Sequence, residues 1–239
     1  MRRTSVQILI LLLAALYPLL LGAQEGSQSA APDAVATSPL TSPSTPEAQD
    51  AWAKGQEFLF RKHDPAASIE SFRKVVELEP AFVPGYILLG NACLQAQDLA
   101  QAKSAYEKAA KLEPGNSVAF LGIGSVLNQQ HEWLAAQKPL QRSLELKPDS
   151  AEAHYEMGRS LVAQGRLQDA EPYVRRCIEI NKDYAVPHIL MGDLYLHLHR
   201  NVNAALGEYQ QYLQLEPHGA AAQSVKDIIS RLEKLQDQK

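Results

Sequence analysis

Residues 108–114 read KAAKLEP, a stretch with helical patterning that stops at a proline. The same Leu-x-Pro ending returns three more times in the chain, and it closes there at Pro80, Pro148 and Pro217. Pro80 and Pro114 are 34 residues apart, and so are Pro114 and Pro148. Because the residue before a proline resists helical backbone angles, each of these prolines predicts the end of a helix. A helix end at a fixed interval indicates a chain built from repeats.

Three further columns of residues keep nearly the same period. Each repeat has a glycine, then a small residue 12 or 13 positions later, then a larger residue four positions after that. The columns are Gly55, Gly90, Gly124, Gly158 and Gly192; Ser68, Ala102, Ala136, Ala170 and Ala205; and Phe72, Tyr106, Leu140, Val174 and Tyr209. Glycine inside a helix costs about 1 kcal/mol relative to alanine. Its recurrence therefore predicts a close contact between two helices, with the larger residue filling the space beside it.

Each repeat contains two helical patterns. Residues 86–97 and 99–114 place apolar or small residues at steps of three and four, which predicts helices rather than strands. Asp98 lies between them and predicts a cap for the second helix. Two departures from the pattern are visible. Lys182 stands where repeat four should have its proline, and repeats one and five each hold one extra residue, which we place within residues 61–68 in repeat one.

This combination of columns resembles the tetratricopeptide repeat family over residues 49–217, in about five repeats, and the repeat at residues 83–114 fits best. The resemblance implies an all-α fold, an α-solenoid of about five antiparallel helix pairs arranged as a right-handed superhelix. It also implies a non-catalytic scaffold that binds a protein or peptide in its concave groove. The alternative is a membrane-tethered assembly factor or a self-associating structural subunit.

Residues 218–239 continue with a one-sided helical pattern. The apolar stripe consists of Val225, Ile228, Ile229, Leu232 and Leu235. Because the last unit of a solenoid would otherwise expose an apolar face, we interpret this segment as a capping helix. Self-association through the same helix is the alternative.

Residues 1–23 have the layout of a secretory signal peptide. Arg2 and Arg3 precede an apolar run of 16 residues, 6–21, which is shorter than the roughly 20 residues that a membrane-spanning helix needs. We expect cleavage after Ala23 and an exported protein, periplasmic or secreted. Since the chain has no N-glycosylation sequon, a bacterial periplasm is favoured. An uncleaved segment that anchors the protein to a membrane is the alternative.

Residues 24–48 are rich in Pro, Ser, Thr and Ala and show no apolar periodicity. Such a segment buries too little apolar surface to offset the entropy lost on ordering. We predict a disordered linker, which would act as a leash if the N-terminal segment stays and as a loose tail if it is removed.

Composition and motifs argue against several function classes. The net charge is −4, and no basic stripe is visible, so a nucleic-acid partner is not expected. We find no phosphate-binding glycine loop, HExxH, CxxC or nucleophile elbow, and we therefore expect neither catalysis nor a cofactor. Cys93 and Cys177 fall on apolar helix faces and are interpreted as buried apolar residues. His154 and His188 occupy equivalent positions in adjacent repeats, but no carboxylate or cysteine beside them supports a metal site.

The resemblance implies that the first helix of each repeat lines the groove. Counting from the column glycines gives an apolar row and a polar row, with these predicted partner-binding residues: Trp52, Ile87, Asn91, Leu121, Tyr155, Arg159, Ile189 and Asp193. A clamp for a C-terminal carboxylate is not expected, because Ile87 and Leu121 are uncharged. We predict an extended peptide or a partner helix as the ligand. The alternative for the apolar row is that neighbouring helices cover most of it.

Overall fold

The computed structural model describes residues 42–237, and all regular secondary structure in that range is helical. Eleven α-helices follow one another, and a π-helical segment, Glu57–Arg61, comes after the first. The helices are α1 (Pro46–Gln56), α2 (Pro65–Leu78), α3 (Val83–Gln95), α4 (Leu99–Leu112), α5 (Ser117–Gln129), α6 (Trp133–Leu146), α7 (Ala151–Ala163), α8 (Leu167–Ile180), α9 (Val186–His197), α10 (Val202–Leu215) and α11 (Ala222–Asp237). The first ten supply two helices to each of the five predicted repeats. The predicted signal peptide and residues 24–41 of the predicted linker lie outside the described residues.

Helices α2, α4, α6 and α10 all end two residues before a proline, as the Leu-x-Pro pattern predicted. The residue between lies outside the helical region in each case, with φ from −129° to −136° at Glu79, Glu113, Lys147 and Glu216. Helix α8 ends the same way at Asn181, with φ −132°, although Lys182 follows it instead of proline. The backbone turn therefore belongs to the repeat, and proline favours it without being required.

Polar side chains fix the start of most second helices. Asp64, Asp98 and Asn201 accept hydrogen bonds from the backbone N–H three residues ahead, so the predicted cap at Asp98 is confirmed. The equivalent residues Glu132 and Arg166 make no side-chain capping bond to α6 and α8.

Helix α1 begins three residues earlier than the predicted start of the repeats at 49. Thr45 accepts a hydrogen bond from the Ala48 N–H at 3.3 Å, and Pro46 is the first helical residue. Glu79 at the end of α2 holds this start in place, since its carboxylate accepts from the Ser44 and Thr45 N–H groups at 2.6 and 2.8 Å. Residues 46–48 are therefore helical and belong structurally to the first repeat.

The chain forms two compact units, whose described parts are residues 42–164 and 165–237. In the first unit, each helix from α1 to α7 packs against the next, and α3 and α5 also pack on α5 and α7 respectively. In the second unit, α8 to α11 pack in sequence.

The predicted contact between glycines and larger residues is present in both units. In the first unit, a Cβ added at Gly90 would lie 2.7 Å from the Tyr106 ring, and one added at Gly122 would lie 2.5 Å from it. The ring therefore lies between two glycines, of which only Gly90 belongs to the glycine column. In the second unit, a Cβ at Gly192 would lie 2.6 Å from the Tyr209 ring. The small-residue column is also in the interior: Ser68, Ala102, Ala136, Ala170 and Ala205 are fully buried.

The structure accommodates the extra residue of repeat one earlier than the predicted residues 61–68, with an overlap only at Arg61. It is accommodated in the π-helical segment Glu57–Arg61, where the Asp64 N–H reaches the Phe58 carbonyl at 2.9 Å, six residues back. The equivalent bond in repeat two, from the Asp98 N–H to the Cys93 carbonyl at 2.8 Å, spans five. A locally wider helix absorbs the insertion, so the packing columns on both sides keep their register.

Helix α11 packs on α10 as a cap for the second unit. Val225, Ile228 and Leu232 are buried against it, whereas the charged residues of the helix up to residue 234 are exposed. The predicted capping helix is confirmed. Among residues 42–237, no helix combines the length and the apolar character needed to cross a bilayer.

Candidate functional site

The structure places the predicted groove residues mainly in the interior. Seven of the eight expose 9% or less of their surface: Ile87, Asn91, Leu121, Tyr155, Arg159, Ile189 and Asp193. Trp52 is half-buried, and its ring meets Phe72 and Phe82 edge-on at centroid distances of 5.6 and 5.3 Å. Most of the apolar row is therefore covered, as in the alternative interpretation of this row. Its role in binding remains a prediction.

In the first unit, Asn91 in the polar row is bonded to the tyrosine of its own repeat. The Tyr106 hydroxyl donates to Asn91 Oδ1 at 2.6 Å, and both residues are buried. Burial raises the pKa of the Tyr106 phenol well above its usual range, so it stays neutral and acts as a donor. The Asn91 carboxamide is thereby fixed in orientation, with its N–H groups directed away from the accepting oxygen.

In the second unit, Asp193 and Tyr209 form the equivalent pair. The Tyr209 hydroxyl donates to Asp193 Oδ1 at 2.6 Å. Burial raises the pKa of Asp193 to about 7, although the hydrogen bond from Tyr209 acts in the opposite direction. This carboxyl therefore changes its protonation state near neutral pH. His188, on the same helix, is also buried, and its Nδ1 lies 2.7 Å from Glu208 Oε2.

A buried polar network joins α5 and α7 in the first unit. Arg159 pairs with Glu156 at 2.9 Å, with side chains only 10% and 14% exposed. Asn128 Nδ2 donates to both the carbonyl and the carboxylate of Glu156, at 2.9 and 2.7 Å. Asn128 and Glu156 were not predicted as site residues. The available signal was an asparagine at Asn128 in a column that otherwise holds Leu or Val.

The predicted cysteines and histidines have structural surroundings among the described residues. No group of three or more His, Cys, Asp or Glu side chains within residues 42–237 could hold a metal ion. Both cysteines are buried, as predicted, and burial raises the pKa of Cys93 to about 11, which keeps it protonated. His154 Nε2 lies 3.0 Å from the Pro148 carbonyl, so this imidazole has a local structural partner.

Comparison with known sequences agrees with the geometry of the repeats. Two tetratricopeptide repeat family descriptions match the chain, one at residues 83–116 and the other at residues 121–185. The chain is a tetratricopeptide repeat protein. No curated protein shows a significant match to it over its sequence.

Solved structures with the same fold include several tetratricopeptide repeat proteins. PilF of Pseudomonas aeruginosa is 17% identical with a TM-score of 0.67, over 80% of this chain and 86% of that one. TTC0263 of Thermus thermophilus is 14% identical with a TM-score of 0.63, over 77% and 98%. YrrB, described as having an unusual peptide-binding site, is 23% identical with a TM-score of 0.53, over 72% and 88%. At these identities the tetratricopeptide repeat fold is shared, and nothing about the ligand follows.

Proposed function

We propose that this tetratricopeptide repeat protein is a non-catalytic scaffold that binds a protein or peptide along the first helices of its repeats. The observation that carries the proposal is the fixed orientation of polar groups in the predicted row. In the first unit, Tyr106 holds Asn91 and Glu156 holds Arg159. Groups that are already held in place lose little conformational entropy when a ligand binds.

The chemistry of the first unit suits an extended peptide. Asn91 uses its oxygen for Tyr106, which leaves its two N–H donors for a peptide carbonyl. Half-buried Trp52 supplies aromatic surface at the start of the row. YrrB, which shares this fold, is described as having a peptide-binding site, so a peptide is a ligand that the fold can hold. We infer that the ligand is a main-chain segment with apolar anchors and not a free small molecule.

A displayed random-peptide library provides a test that needs no known partner. Peptides selected on the whole protein are measured by calorimetry against the parent and the variants Trp52→Ala and Arg159→Gln. We expect each variant to weaken binding about tenfold. The control is Arg142→Gln, which breaks an exposed Arg–Glu pair of the same i,i+3 spacing, between Arg142 and Glu145 at 3.1 Å. Equal affinity for the parent and both groove variants, with unchanged melting temperatures, would exclude the row as the binding surface.

The site of action is a separate proposal. We infer export of the protein from the N-terminal sequence, with removal of residues 1–23. N-terminal sequencing of the protein recovered from its source cell tests this inference: a chain that begins at Gln24 supports it, and an intact Met1 favours the membrane-tethered alternative. Self-association through α11 has weaker support, because Val225 and Leu232 are already buried within the second unit.

A further inference from the structure

One turn of the first unit exposes an apolar residue that the repeat does not require. The second position of each second helix is exposed in all five repeats: Ala66, Ala100, Leu134, Gln168 and Asn203. Four repeats fill this position with alanine or an amide. Leu134 is 75% exposed, the most of any large apolar residue in residues 42–237. The repeat leaves most of this leucine side chain unburied, so the side chain is available to a ligand that binds beside it.

Leu134 borders an open depression at the turn from α5 to α6. Its volume is about 550 Å³, and its lining consists of His131, Glu132, Trp133, Leu134, Ala135 and Gln164. Trp133 is half-buried, and the His131 ring meets it edge-on at a centroid distance of 5.1 Å. The depression thus offers an aromatic wall beside an exposed aliphatic side chain, in a volume that accommodates several side chains of a ligand.

Hydrogen bonds from α7 hold this depression in shape. The Ser160 hydroxyl donates to the Trp133 carbonyl at 2.6 Å. Gln164 donates to the Ser160 carbonyl at 2.8 Å and accepts from Gln137 at 3.0 Å. Because these bonds tie Trp133 and Gln164 to the same helix, the surface is available without rearrangement, which favours binding.

Among the residues that line the depression, Glu132 supplies a carboxylate. Glu132 is exposed, and its carboxylate does not cap α6, unlike the aspartates at the equivalent position of repeats one and two. Neither lysine nor arginine is among the lining residues. The charge of the lining therefore favours a ligand that brings positive charge.

We propose that this depression binds a segment of a partner protein in which an aliphatic side chain lies next to a lysine or arginine. The aliphatic group packs on Trp133 and Leu134, and the cation pairs with Glu132. This surface is distinct from the row of Asn91 and Arg159, and its function does not depend on that row.

Three synthetic peptides, blocked at both ends and labelled with a fluorophore, test the charge and the apolar requirement. The first carries leucine between two lysines, the second carries leucine between two glutamates, and the third carries serine between two lysines. Fluorescence anisotropy with the whole protein should show the first peptide binding about tenfold more tightly than either of the others. Its affinity should fall with added salt, since the pair with Glu132 is exposed. Preference for the glutamate peptide, or equal affinity for all three, would overturn the proposal.

The chain itself supplies variants that the fold tolerates. Leu134→Ala copies repeats one and two, and Glu132→Arg copies repeat four. Each should weaken binding of the leucine–lysine peptide about tenfold without lowering the melting temperature. Arg159→Gln, which lies outside the depression, should leave the affinity for this peptide unchanged. Unchanged binding by Leu134→Ala overturns the proposal. Sedimentation tests whether a second copy of this chain occupies the depression. A dimer of the parent protein that Leu134→Ala disrupts would show this, and it would also overturn the proposal.

Discussion

Repeat two and repeat five build the same buried hydrogen bond from different residues. In the first unit Tyr106 donates to Asn91, and in the second unit Tyr209 donates to Asp193, each at 2.6 Å. Both tyrosines are 1% exposed. Asparagine is neutral at every pH, whereas the Asp193 carboxyl titrates with a pKa of about 7 because it is buried. The repeat thus fixes the environment, and a single residue decides whether that environment responds to pH.

The largest effect predicted from this comparison is on the pH dependence of stability. Between pH 4 and 7, folded protein keeps the Asp193 proton and unfolded protein has lost it. The free energy of unfolding therefore falls as the pH rises through this window, by roughly 4 kcal/mol from this group, and is flat above it. Asp193→Asn should remove this fall, as measured by urea unfolding at a series of pH values.

At each pH, the free energy of unfolding of Asp193→Asn is subtracted from that of the parent. This difference cancels the titration of the other carboxylates. Parallel curves for the parent and Asp193→Asn between pH 4 and 7 would show that Asp193 titrates normally in the folded protein.

The next effect concerns the small-residue column, which the two units share. Ala102 and Ala205 are fully buried at equivalent positions. Replacing either with leucine should overfill a close helix contact and lower the free energy of unfolding by about 1–3 kcal/mol. Thermal or urea unfolding of both variants measures this, with Ala100→Leu at a neighbouring exposed position as the control. If either core variant matched that control, its column position would not be a helix contact.

Removing the tyrosine hydroxyls sharpens the comparison between the pairs. Tyr106→Phe leaves the Asn91 oxygen buried without its donor and should cost about 1–2 kcal/mol at every pH. Tyr209→Phe should also extend the pH-dependent fall to higher pH, because the Tyr209 hydrogen bond lowers the pKa of Asp193 in the folded protein. Urea unfolding at several pH values distinguishes the two variants. The same pH profile for both would mean that the Tyr209 bond does not reach the carboxylate.

Much of the fold was readable from the sequence because helix ends and close contacts have local causes. Pro80, Pro114 and Asp98 act within a few residues, and a glycine column reports a contact that any repeat must make. The start of α1 was harder to predict, since it depends on a non-local contact: Glu79 accepts hydrogen bonds from the N–H groups of Ser44 and Thr45.

The candidate site was harder to predict than the fold. Asn91 and Asp193 are equivalent within their repeats, as their spacing from the column glycines indicates, since each accepts from the tyrosine of its own repeat. Their burial depends on how many neighbours surround a helix, which a single sequence does not state. One signal was present and unused: the row holds Asn or Asp in the two repeats, two and five, whose larger residue is tyrosine. The depression beside Leu134 followed only from comparing exposure among equivalent positions.

The smallest effect concerns the helix caps, which differ between repeats of similar sequence. Asp98 caps α4 through its side chain, whereas Glu132 makes no such bond to α6. Glu132→Asp keeps the charge and should raise the free energy of unfolding by about 0.5–1 kcal/mol. Urea unfolding beside Glu132→Gln, which restores no cap, measures the gain. A variant no more stable than Glu132→Gln would indicate that this turn does not admit the cap of repeat two.

The equivalence of the two buried pairs is tested most directly by exchanging their acceptors. The measurement is the free energy of unfolding against pH for the double variant Asn91→Asp, Asp193→Asn, beside the parent and Asp193→Asn alone. If the repeat sets the environment, the double variant regains the fall in stability between pH 4 and 7 that the single variant lacks. A double variant whose profile is as flat as that of Asp193→Asn would contradict the account.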